Sequence, residues 1–406
     1  MSAENKKRIV VTGLGVVSSI GVGKTAFWDN LIKGKSGISK VESFDTRGHA
    51  THVGGEVKDF NPAGFINKKR VKLMGRASQL AVAASKLAVE DAGLKEDFLS
   101  DNTVCVCIGT TMGEIQLMEN MNRFWLKDGL KGVDKLSAYQ SPVNSIAANV
   151  AHEFRLRGRN RMFTTACASG NYAIGYGYDL LQADEADLVV VGGSDTFSWI
   201  SFTGFNKVGA TAPEKCQPFD KNRQGMIPGE GAGILVLEPL ENALKRKAVI
   251  YAEILGYGLS CDAFHITQPS EDGIFRCMKN AIEEAGIEAK DIDYVSAHGT
   301  GTPHNDKVEA AAIKNVFGEN KVAVSSIKSM LGHTMGAASA IGTISCCLSI
   351  EHNVIPPTIN YETPDPECDI DCVPNKARKQ KVNIAINNGF AFGGNNAGLI
   401  IGKFIK

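Results

Sequence analysis

Short apolar runs alternate along the chain with longer segments whose apolar positions recur every three or four residues. The short runs have the length and composition of strands buried on both faces. They are IVVTGLGVV, TVCVCIGTT, DLVVVGGSD, VIYAEILGYG, DYVSAHGTG, KVAVSSIK, VNIAINNGF and AGLIIGKF. The longer segments predict helices over 79–92, 171–183, 273–285 and 307–316. This alternation predicts an α/β fold with layered sheets.

One short pattern occurs twice. AVEDAGL at 88–94 and AIEEAGI at 281–287 each end a predicted helix with a glycine, and each precedes an acidic linker and a strand that ends in Gly-Thr. The two copies lie almost half the chain apart, which indicates an internal duplication. We therefore predict two related halves, 1–245 and 246–406, joined near PLENALKRKA.

Composition excludes several classes of protein. Among 406 residues, 44 Lys and Arg balance 44 Asp and Glu, so no global field attracts nucleic acid or an acidic membrane surface. The ten cysteines show no zinc-ligand spacing, which predicts no metal site and a reduced, cytoplasmic setting. The 43 glycines indicate many tight turns and close backbone approaches.

Three segments resemble signals of other functions. Residues 9–23 follow basic residues as in an export signal, but glycines and serines interrupt the run. Residues 329–350 carry no formal charge but are rich in Gly, Ala, Ser and Thr, so we predict one buried helix and no membrane partner. TGLGVVSSIG has Ser18 where a dinucleotide-binding turn needs glycine.

The first candidate for chemistry is Cys167, in FTTACASGN. It follows an apolar segment and precedes a small-residue helix, so its sulfur is predicted at a helix N-terminus, where free N–H groups and the helix dipole favour a thiolate. A similar strand-to-helix turn holds the serine nucleophile of α/β hydrolases. On this motif alone, a buried structural cysteine is the competing interpretation.

Three further segments place polar groups beside glycine turns. AHGTGTPHND puts His298 at a predicted strand end, and SSIKSMLGHTMG puts Lys328 and His333 at the start of the long uncharged helix. NNGFAFGGNN is a glycine-rich turn between two predicted strands, able to present backbone N–H groups to an oxyanion. One cysteine and two histidines beside such turns are not easily explained by packing.

These four segments, in this order, resemble the β-ketoacyl-acyl-carrier-protein synthases with thiolase fold, of the fatty-acid synthase II and type II polyketide α-ketosynthase type. The resemblance runs from VVTGLGVVSSIG to GFAFGGNNAGLIIG and includes PFDKNRQGMIPGEGAGILVLE and DAFHITQPSEDG. It implies a duplicated, layered α-β-α-β-α architecture, with the nucleophile in the first half and both catalytic histidines in the second. It also implies a dimer that catalyses decarboxylative Claisen condensation.

The resemblance assigns a role to each candidate. Cys167 accepts an acyl chain, while His298 and His333 promote loss of carbon dioxide from a malonyl thioester and stabilise the enolate. The backbone N–H groups of Cys167 and Phe392 hold the thioester oxyanion, and Lys328 orients the histidine pair. The residue types suit this chemistry, because a thiolate is both a good nucleophile and a good leaving group.

The resemblance also implies supporting residues and substrates. Asp306 and Glu309 support the site. The arm of phosphopantetheine is expected to hydrogen-bond to Thr267, Thr300 and Thr302. Phe390 and Phe392 are expected to form a gate, with core packing as the alternative. No cofactor is tightly bound, since the acyl carrier protein delivers the substrates on its phosphopantetheine arm.

Departures from the housekeeping pattern bear on the pathway. They are Gly301, Asn305, Gly342, Ala391 and Asn395. They favour type II polyketide or polyene biosynthesis and a heterodimer with a chain-length-factor-like subunit, over a homodimeric fatty-acid elongation synthase, which stays open. A non-catalytic carrier-protein-binding subunit is a remote alternative, because a chain-length factor lacks the nucleophile that Cys167 supplies here.

Two further surfaces are predicted. The densest basic cluster, which would dock an acidic carrier protein, comprises Lys68, Lys69, Arg70, Lys72 and Arg76. The segment GEIQLMENMNRFW carries Met118, which by the resemblance falls near the far end of the acyl pocket at the dimer interface. Interface packing without substrate contact is the alternative for Met118.

Overall fold

A long mixed β-sheet organises the chain. The computed structural model describes residues 6–318 and 322–405. Its strands are β1 (Ile9–Ser18), β2 (Gly21–Val22), β3 (Ser39–Lys40), β4 (Val53–Gly54), β5 (Val104–Gly109), β6 (Asn160–Phe163), β7 (Leu188–Asp195), β8 (Gly231–Pro239), β9 (Ala252–Cys261), β10 (Tyr294–Ser296), β11 (Ala323–Ser325), β12 (Val354–Ile355), β13 (Arg378–Lys379), β14 (Ile384–Phe390) and β15 (Asn395–Gly402).

Helices cover both faces of this sheet. They are α1 (Lys24–Ile32), α2 (Lys68–Val71), α3 (Arg76–Asp91), α4 (Glu96–Asp101), α5 (Ile115–Asp128), α6 (Lys135–Gln140), α7 (Ser145–Phe154), α8 (Ser169–Gln182), α9 (Trp199–Lys207), α10 (Leu240–Lys245), α11 (Glu271–Ala285), α12 (Pro303–Phe317), α13 (Lys328–Leu331) and α14 (Ala338–His352). Within residues 6–318 and 322–405, no helix is both long enough and apolar enough to cross a membrane.

The sheet repeats one strand order on either side of its centre. The order is β11-β10-β14-β15-β9-β1-β8-β7-β5-β6, with β1 and β9 antiparallel in the middle. Outward from β1 the chain places β8, β7, β5 and β6, and outward from β9 it places β15, β14, β10 and β11. The parallel and antiparallel pairings also correspond, because β5 and β10 each lie between two parallel neighbours. The fold is therefore a duplicated α/β architecture.

Two buried helices lie between the halves of the sheet. Helix α8 contacts β5 and β7 of the first half and β15 of the second, while α14 contacts β14 of the second half and β8 of the first. Helices α3 and α7 cover the outer face of the first half, and α11 and α12 cover that of the second. The result is five layers in the order α-β-α-β-α.

Small side chains allow α8 and α14 to approach closely. A Cβ atom at Gly170 would lie 2.7 Å from the backbone nitrogen of Ala340 and 2.8 Å from the hydroxyl of Ser339. The Ser339 hydroxyl accepts a hydrogen bond from the backbone N–H of Asn171 at 3.0 Å. This close approach explains why both helices are rich in Gly, Ala and Ser, and it brings together the turns that precede them.

The structure corrects one predicted element. The single helix expected over 329–350 is wrong, because α13 ends at Leu331 and α14 begins at Ala338. Gly332 between them has φ +75°, and the backbone of His333 hydrogen-bonds to Ile227 and Gly229 instead of continuing a helix. His333 therefore lies in an extended connection between two helices.

The other predicted elements differ mainly in extent. The strand predicted in DYVSAHGTG is confined to β10, and the strand predicted in KVAVSSIK to β11, with Lys321 outside the described residues. All four predicted helices occur, as α3, α8, α11 and α12. Strand β8 and helices α5, α7 and α9 were not predicted.

Candidate active site

The turn that carries Cys167 joins β6 to α8. Residues 166–168 form a 3-10 turn, and Ala166 there has φ 48°, a left-handed conformation that costs free energy for a residue with a side chain. The hydroxyl of Ser169 donates to the carbonyl oxygens of Ala166 and Thr110, which ties the turn to the end of β5. The sulfur is thus fixed at the start of a buried helix.

The protonation state of Cys167 differs from the expectation. Burial raises the pKa of its thiol to about 12, although the nearby charge of Lys328 opposes the increase. The nearby backbone N–H groups of Cys167 and Phe392 also act to lower the pKa. Desolvation therefore outweighs the helix terminus, and the resting group is a thiol rather than the predicted thiolate.

The two histidines meet at Cys167 from different segments of the chain. His298 follows β10, and His333 lies in the connection between α13 and α14. Their ring centroids are 5.4 Å apart in an edge-on arrangement. The Cys167 sulfur and one nitrogen of each ring all lie within 4.8 Å of one another. One substrate carbon could therefore contact all three side chains at once.

Both imidazoles are held in the neutral form. Burial lowers the pKa of His298 and of His333 well below the usual 6.5, and the charge of Lys328 lowers both further. The backbone N–H of Met335 donates to Nδ1 of His333 at 3.1 Å, which leaves the ring proton on Nε2. His333 is thus a hydrogen-bond donor through Nε2.

Buried charges hold the backbone of His298. Lys328 Nζ donates to the His298 carbonyl oxygen at 2.5 Å. Glu309 accepts from the backbone N–H groups of His298 and Gly299, each at 2.7 Å, and burial raises its pKa to about 7. Asp306 accepts from the N–H groups of Phe219 and Gly301. Lys328 and Glu309 therefore hold the main chain of His298, and Asp306 holds the turn that follows it.

A cavity of about 600 Å³ opens onto Cys167 and both histidines. It also contains the residues predicted to bind the pantetheine arm and to form the gate: Thr267, Thr300, Thr302, Phe390 and Phe392. The two gate candidates differ, because Phe390 is buried against the ring of His298 whereas Phe392 is 41% exposed. Most of the lining surface is apolar, which suits an acyl chain and the arm that delivers it.

The cavity also contains residues that the sequence analysis missed. Thr111 and Met112, which follow β5, form part of the wall with Cys167. Phe205 on α9 faces the mouth, with its ring centroid 6.2 Å from that of Phe392. The position of Met112 two residues after a strand ending in Gly-Thr was a usable signal, but no local pattern marks Phe205.

The predicted docking cluster separates into two kinds of residue. Lys68, Lys69 and Lys72 are exposed on and beside α2. Arg70 instead pairs with the carboxylate of Glu153. Arg76 points inward, where it binds the Glu230 carboxylate at 2.8 Å and the Val57 carbonyl oxygen at 2.9 Å. Both arginines are therefore paired with buried carboxylates, and their role in docking stays a prediction.

Met118 lies apart from the cavity in this chain. It is on α5 and is 45% exposed, and it is not among the cavity-lining residues. The same region exposes several large apolar side chains: Phe124, Trp125, Leu126, Leu130 and Tyr139. Its predicted contact with an acyl chain would need a second subunit.

The sequence of this chain is similar to those of known proteins. Residues 6–243 match the family described as beta-ketoacyl synthase, N-terminal domain, and residues 251–362 match its C-terminal domain. A 3-oxoacyl-[acyl-carrier-protein] synthase 2 of Coxiella burnetii is 39% identical over 98% of this chain and 99% of its own length. One of Staphylococcus aureus is 40% identical over 98% of this chain and 99% of its own length.

Solved structures agree with the sequence relatives. A chain of the ishigamide ketosynthase/chain length factor superposes with a TM-score of 0.97 at 46% identity, covering 98% of this chain and all of that chain. A type II polyketide synthase acyl-carrier protein in complex with its ketosynthase, bound to the hexaketide, gives a TM-score of 0.91 at 32% identity, with the same coverage. The chain belongs to the β-ketoacyl synthase family and is an acyltransferase with a Cys-His-His site.

Proposed function

We propose that this enzyme joins a malonyl-derived two-carbon unit to an acyl chain held on Cys167, with both substrates delivered by an acyl carrier protein. One observation carries the proposal: the Cys167 sulfur and nitrogens of His298 and His333 lie within 4.8 Å of one another at an apolar cavity. Condensation needs a nucleophile that can also leave, beside groups that stabilise an enolate.

Acyl transfer comes first in the proposed mechanism. The Cys167 sulfur attacks the carbonyl carbon of the incoming thioester, and the backbone N–H groups of Cys167 and Phe392 stabilise the oxyanion. The carbon–sulfur bond to the carrier arm then breaks. The departing carrier thiolate takes up the thiol proton, which leaves an acyl thioester on Cys167 and a free carrier thiol.

Condensation follows when malonyl thioester enters. Its carbon–carboxylate bond breaks to release carbon dioxide, and the electron pair forms an enolate that accepts hydrogen bonds from the neutral imidazoles of His298 and His333. The enolate carbon attacks the acyl carbonyl on Cys167, and the bond to sulfur breaks. The Cys167 thiolate then takes up one proton from solution, so atoms and charge balance.

The substrate path follows from the lining of the cavity. We propose that Thr267, Thr300 and Thr302 hydrogen-bond the phosphopantetheine arm, and that Phe392 moves to admit it. The hydroxyls of Thr300 and Thr302 lie 2.9 Å apart and Thr300 is buried, so an amide of the arm would find a paired donor and acceptor. Phe390, packed on His298, serves as the fixed wall of this passage.

Carrier-protein docking is proposed at Lys68, Lys69 and Lys72. Charge reversal of Lys68 and Lys69 is expected to raise KM for carrier-protein substrates and to weaken the salt dependence, without affecting small pantetheine thioesters. Reversal of the exposed Lys376 and Lys381, which belong to a basic segment at 375–381, is the matched control. An equal loss of activity with carrier-protein substrates and with small pantetheine thioesters would show that Lys68 and Lys69 contribute to folding rather than to docking.

Two pathways are candidates for this chemistry. Fatty-acid elongation is favoured by the relatives from Coxiella burnetii and Staphylococcus aureus, which are 3-oxoacyl-[acyl-carrier-protein] synthases. Polyketide biosynthesis with a chain-length-factor partner is supported by the 46% identical ketosynthase/chain length factor structure. We also propose that 1–245 and 246–406 are the two halves of the duplication, since β1 to β8 precede and β9 to β15 follow that boundary.

One reconstitution tests both the activity and the pathway. Purified protein would be supplied with acyl- and malonyl-carrier protein, alone and with candidate partner subunits, and products analysed by mass spectrometry. A β-ketoacyl product from the single chain supports homodimeric elongation, whereas a product that requires a partner supports the polyketide system. Cys167→Ala should abolish acyl-enzyme formation, and an acyl group found on another cysteine would refute the assignment.

A further inference from the structure

A buried carboxylate next to the site has no role in the mechanism above. Asp195 ends β7 and has no exposed surface. Its Oδ1 accepts hydrogen bonds from the Thr110 hydroxyl at 2.8 Å and the Met112 N–H at 3.0 Å. Its Oδ2 accepts from the N–H groups of Thr111 at 2.7 Å and Gly336 at 2.6 Å. Four donors on one buried carboxylate hold two separate segments together.

These two segments contribute different parts of the site. Residues 110–112 follow β5, and Thr111 and Met112 form the cavity wall beside Cys167. Gly336 belongs to the turn that follows His333, and a Cβ atom there would lie 2.6 Å from the Asp195 carboxylate. Asp195 therefore connects the wall that meets the acyl chain to the turn of a catalytic histidine.

The His333 turn depends on such an anchor. Met335 has φ 51°, which is unfavourable for a side-chain-bearing residue, and it precedes Gly336 directly. The same Met335 supplies the N–H that holds His333 with its proton on Nε2. Without the Gly336 bond the turn is free to relax, and His333 would lose the contact that selects its donor tautomer.

We propose that Asp195 is a positioning residue that sets the donor tautomer of His333 through Gly336 and holds the acyl-cavity wall through Thr111 and Met112. The inference rests on the proposed condensation function. It assigns to one carboxylate a joint control over decarboxylation and over the choice of acyl chain, because Oδ2 accepts from both segments while Oδ1 accepts from residues 110–112.

Two variants of Asp195 separate these effects. Asp195→Ala removes both acceptor oxygens. Asp195→Asn keeps one oxygen, which can still accept from Thr111 and Gly336. Its NH₂ group then faces the Thr110 hydroxyl, which can accept a hydrogen bond, and the Met112 N–H, which cannot. Glu114→Ala is the matched control. Glu114 is also fully buried and accepts two backbone N–H groups, from Ala77 and Ser78, but contacts neither residues 110–112 nor the His333 turn by a described hydrogen bond.

The readouts are malonyl-pantetheine decarboxylation, acylation of Cys167 by pantetheine thioesters of several lengths, and thermal unfolding. For Asp195→Ala we expect kcat of decarboxylation to fall roughly 10- to 150-fold, the range for losing one hydrogen bond to a charged group, here that of the Gly336 N–H, with KM changed by less than about twofold. Asp195→Asn should restore most of that kcat but change the order of preference among acyl lengths. Glu114→Ala should lose stability only.

Each outcome decides. Asp195 would have only a structural role if the decarboxylation rate of Asp195→Ala equalled that of Glu114→Ala. The same would follow if Asp195→Ala lost decarboxylation and Cys167 acylation by the same factor. If Asp195→Ala does not fold, Asp195→Asn decides the connection to the cavity wall. An unchanged preference among acyl lengths in Asp195→Asn would refute that connection. A changed preference with normal decarboxylation would support it. A wild-type protein without decarboxylation would instead refute the proposed function, independently of Asp195.

Discussion

Lys328→Met tests how one buried cation supports the site. The Lys328 side chain is 7% exposed, and its Nζ donates to the carbonyl oxygen of His298 at 2.5 Å. Its charge also acts on Cys167, whose thiol pKa it lowers against the effect of burial, and on both imidazoles, whose pKa values it lowers in the same direction as burial. Methionine has similar length but neither charge nor donor.

The expected loss follows from these contacts. A hydrogen bond from a charged donor contributes about 1.5–3 kcal/mol, so its loss in the transition state would slow decarboxylation roughly 10- to 150-fold. The pKa values of His298 and His333 should both rise, because burial alone then keeps the rings neutral. Decarboxylation should consequently fall at a higher pH than in the wild type as the medium is acidified, since a protonated His333 no longer accepts the Met335 N–H at Nδ1 and loses the contact that positions it.

The assay is release of carbon dioxide from malonyl-pantetheine between pH 5.5 and 9, together with acylation of Cys167 followed by mass spectrometry. Acylation should also slow, because the thiol pKa rises when the cation is removed. Lys376→Met, on the exposed surface, is the control for loss of one lysine charge. A folded Lys328→Met protein with the wild-type rate and pH profile would refute both the positioning and the electrostatic argument.

Three further predictions concern stability, helix packing and the acyl pocket. Because burial lowers the pKa values of His298 and His333 well below 6.5, the unfolded chain binds more protons below that pH, and stability falls on acidification by about 1.4 kcal/mol per pH unit for each ring. Urea unfolding at pH 7.5 and 5.5 should therefore show a smaller loss in His333→Gln than in wild type, and equal losses would contradict neutral burial of that ring. Gly170→Ala should lower the free energy of unfolding by about 1–3 kcal/mol and reduce condensation, because its Cβ would lie 2.7 Å from the α14 backbone. Gly204→Ala, whose Cβ would meet nothing within 4 Å, is the control in thermal unfolding. Met118→Ala should lengthen and Met118→Trp shorten the acyl chains found on Cys167, with Leu126→Ala on the same helix as control; unchanged distributions in active protein would remove Met118 from the pocket.

Much of the fold was predictable because several of its strands are apolar along their whole length. Strands such as β1, β5 and β7 are buried along their whole length, so each appears in the sequence as a continuous apolar run between turns. Strand β8 has the same burial, but it begins with Gly and Ala and follows a loop rich in glycine. Its start is therefore difficult to distinguish from the loop in the sequence. The break at Gly332 was unpredictable for a different reason, since the partners of His333 on residues 227–229 are remote in sequence.

The candidate site was predictable where chemistry follows directly from residue type, and not where it depends on burial. The grouping of Cys167, His298 and His333 was anticipated from their motifs, and they meet at one cavity. The thiol pKa was predicted in the wrong direction, because a helix terminus is visible in sequence whereas complete desolvation is not. The ion pair of Arg76 was not predictable for a similar reason, since its partner Glu230 is remote in sequence.

The duplication explains why the catalytic groups meet at all. Cys167 lies just before α8, and His333 lies in the connection that leads into α14, so one reactive side chain comes shortly before each central helix. Because Gly170 brings these two helix starts into contact, the two turns are held against each other by backbone packing rather than by loops. His298 then enters from β10, which lies next to β14 and hence beside the turn that supplies the Phe392 N–H. A repeated strand–helix unit thus places nucleophile, proton donors and oxyanion donors at one point, and substitutions that separate α8 from α14 should impair the chemistry before they unfold the protein.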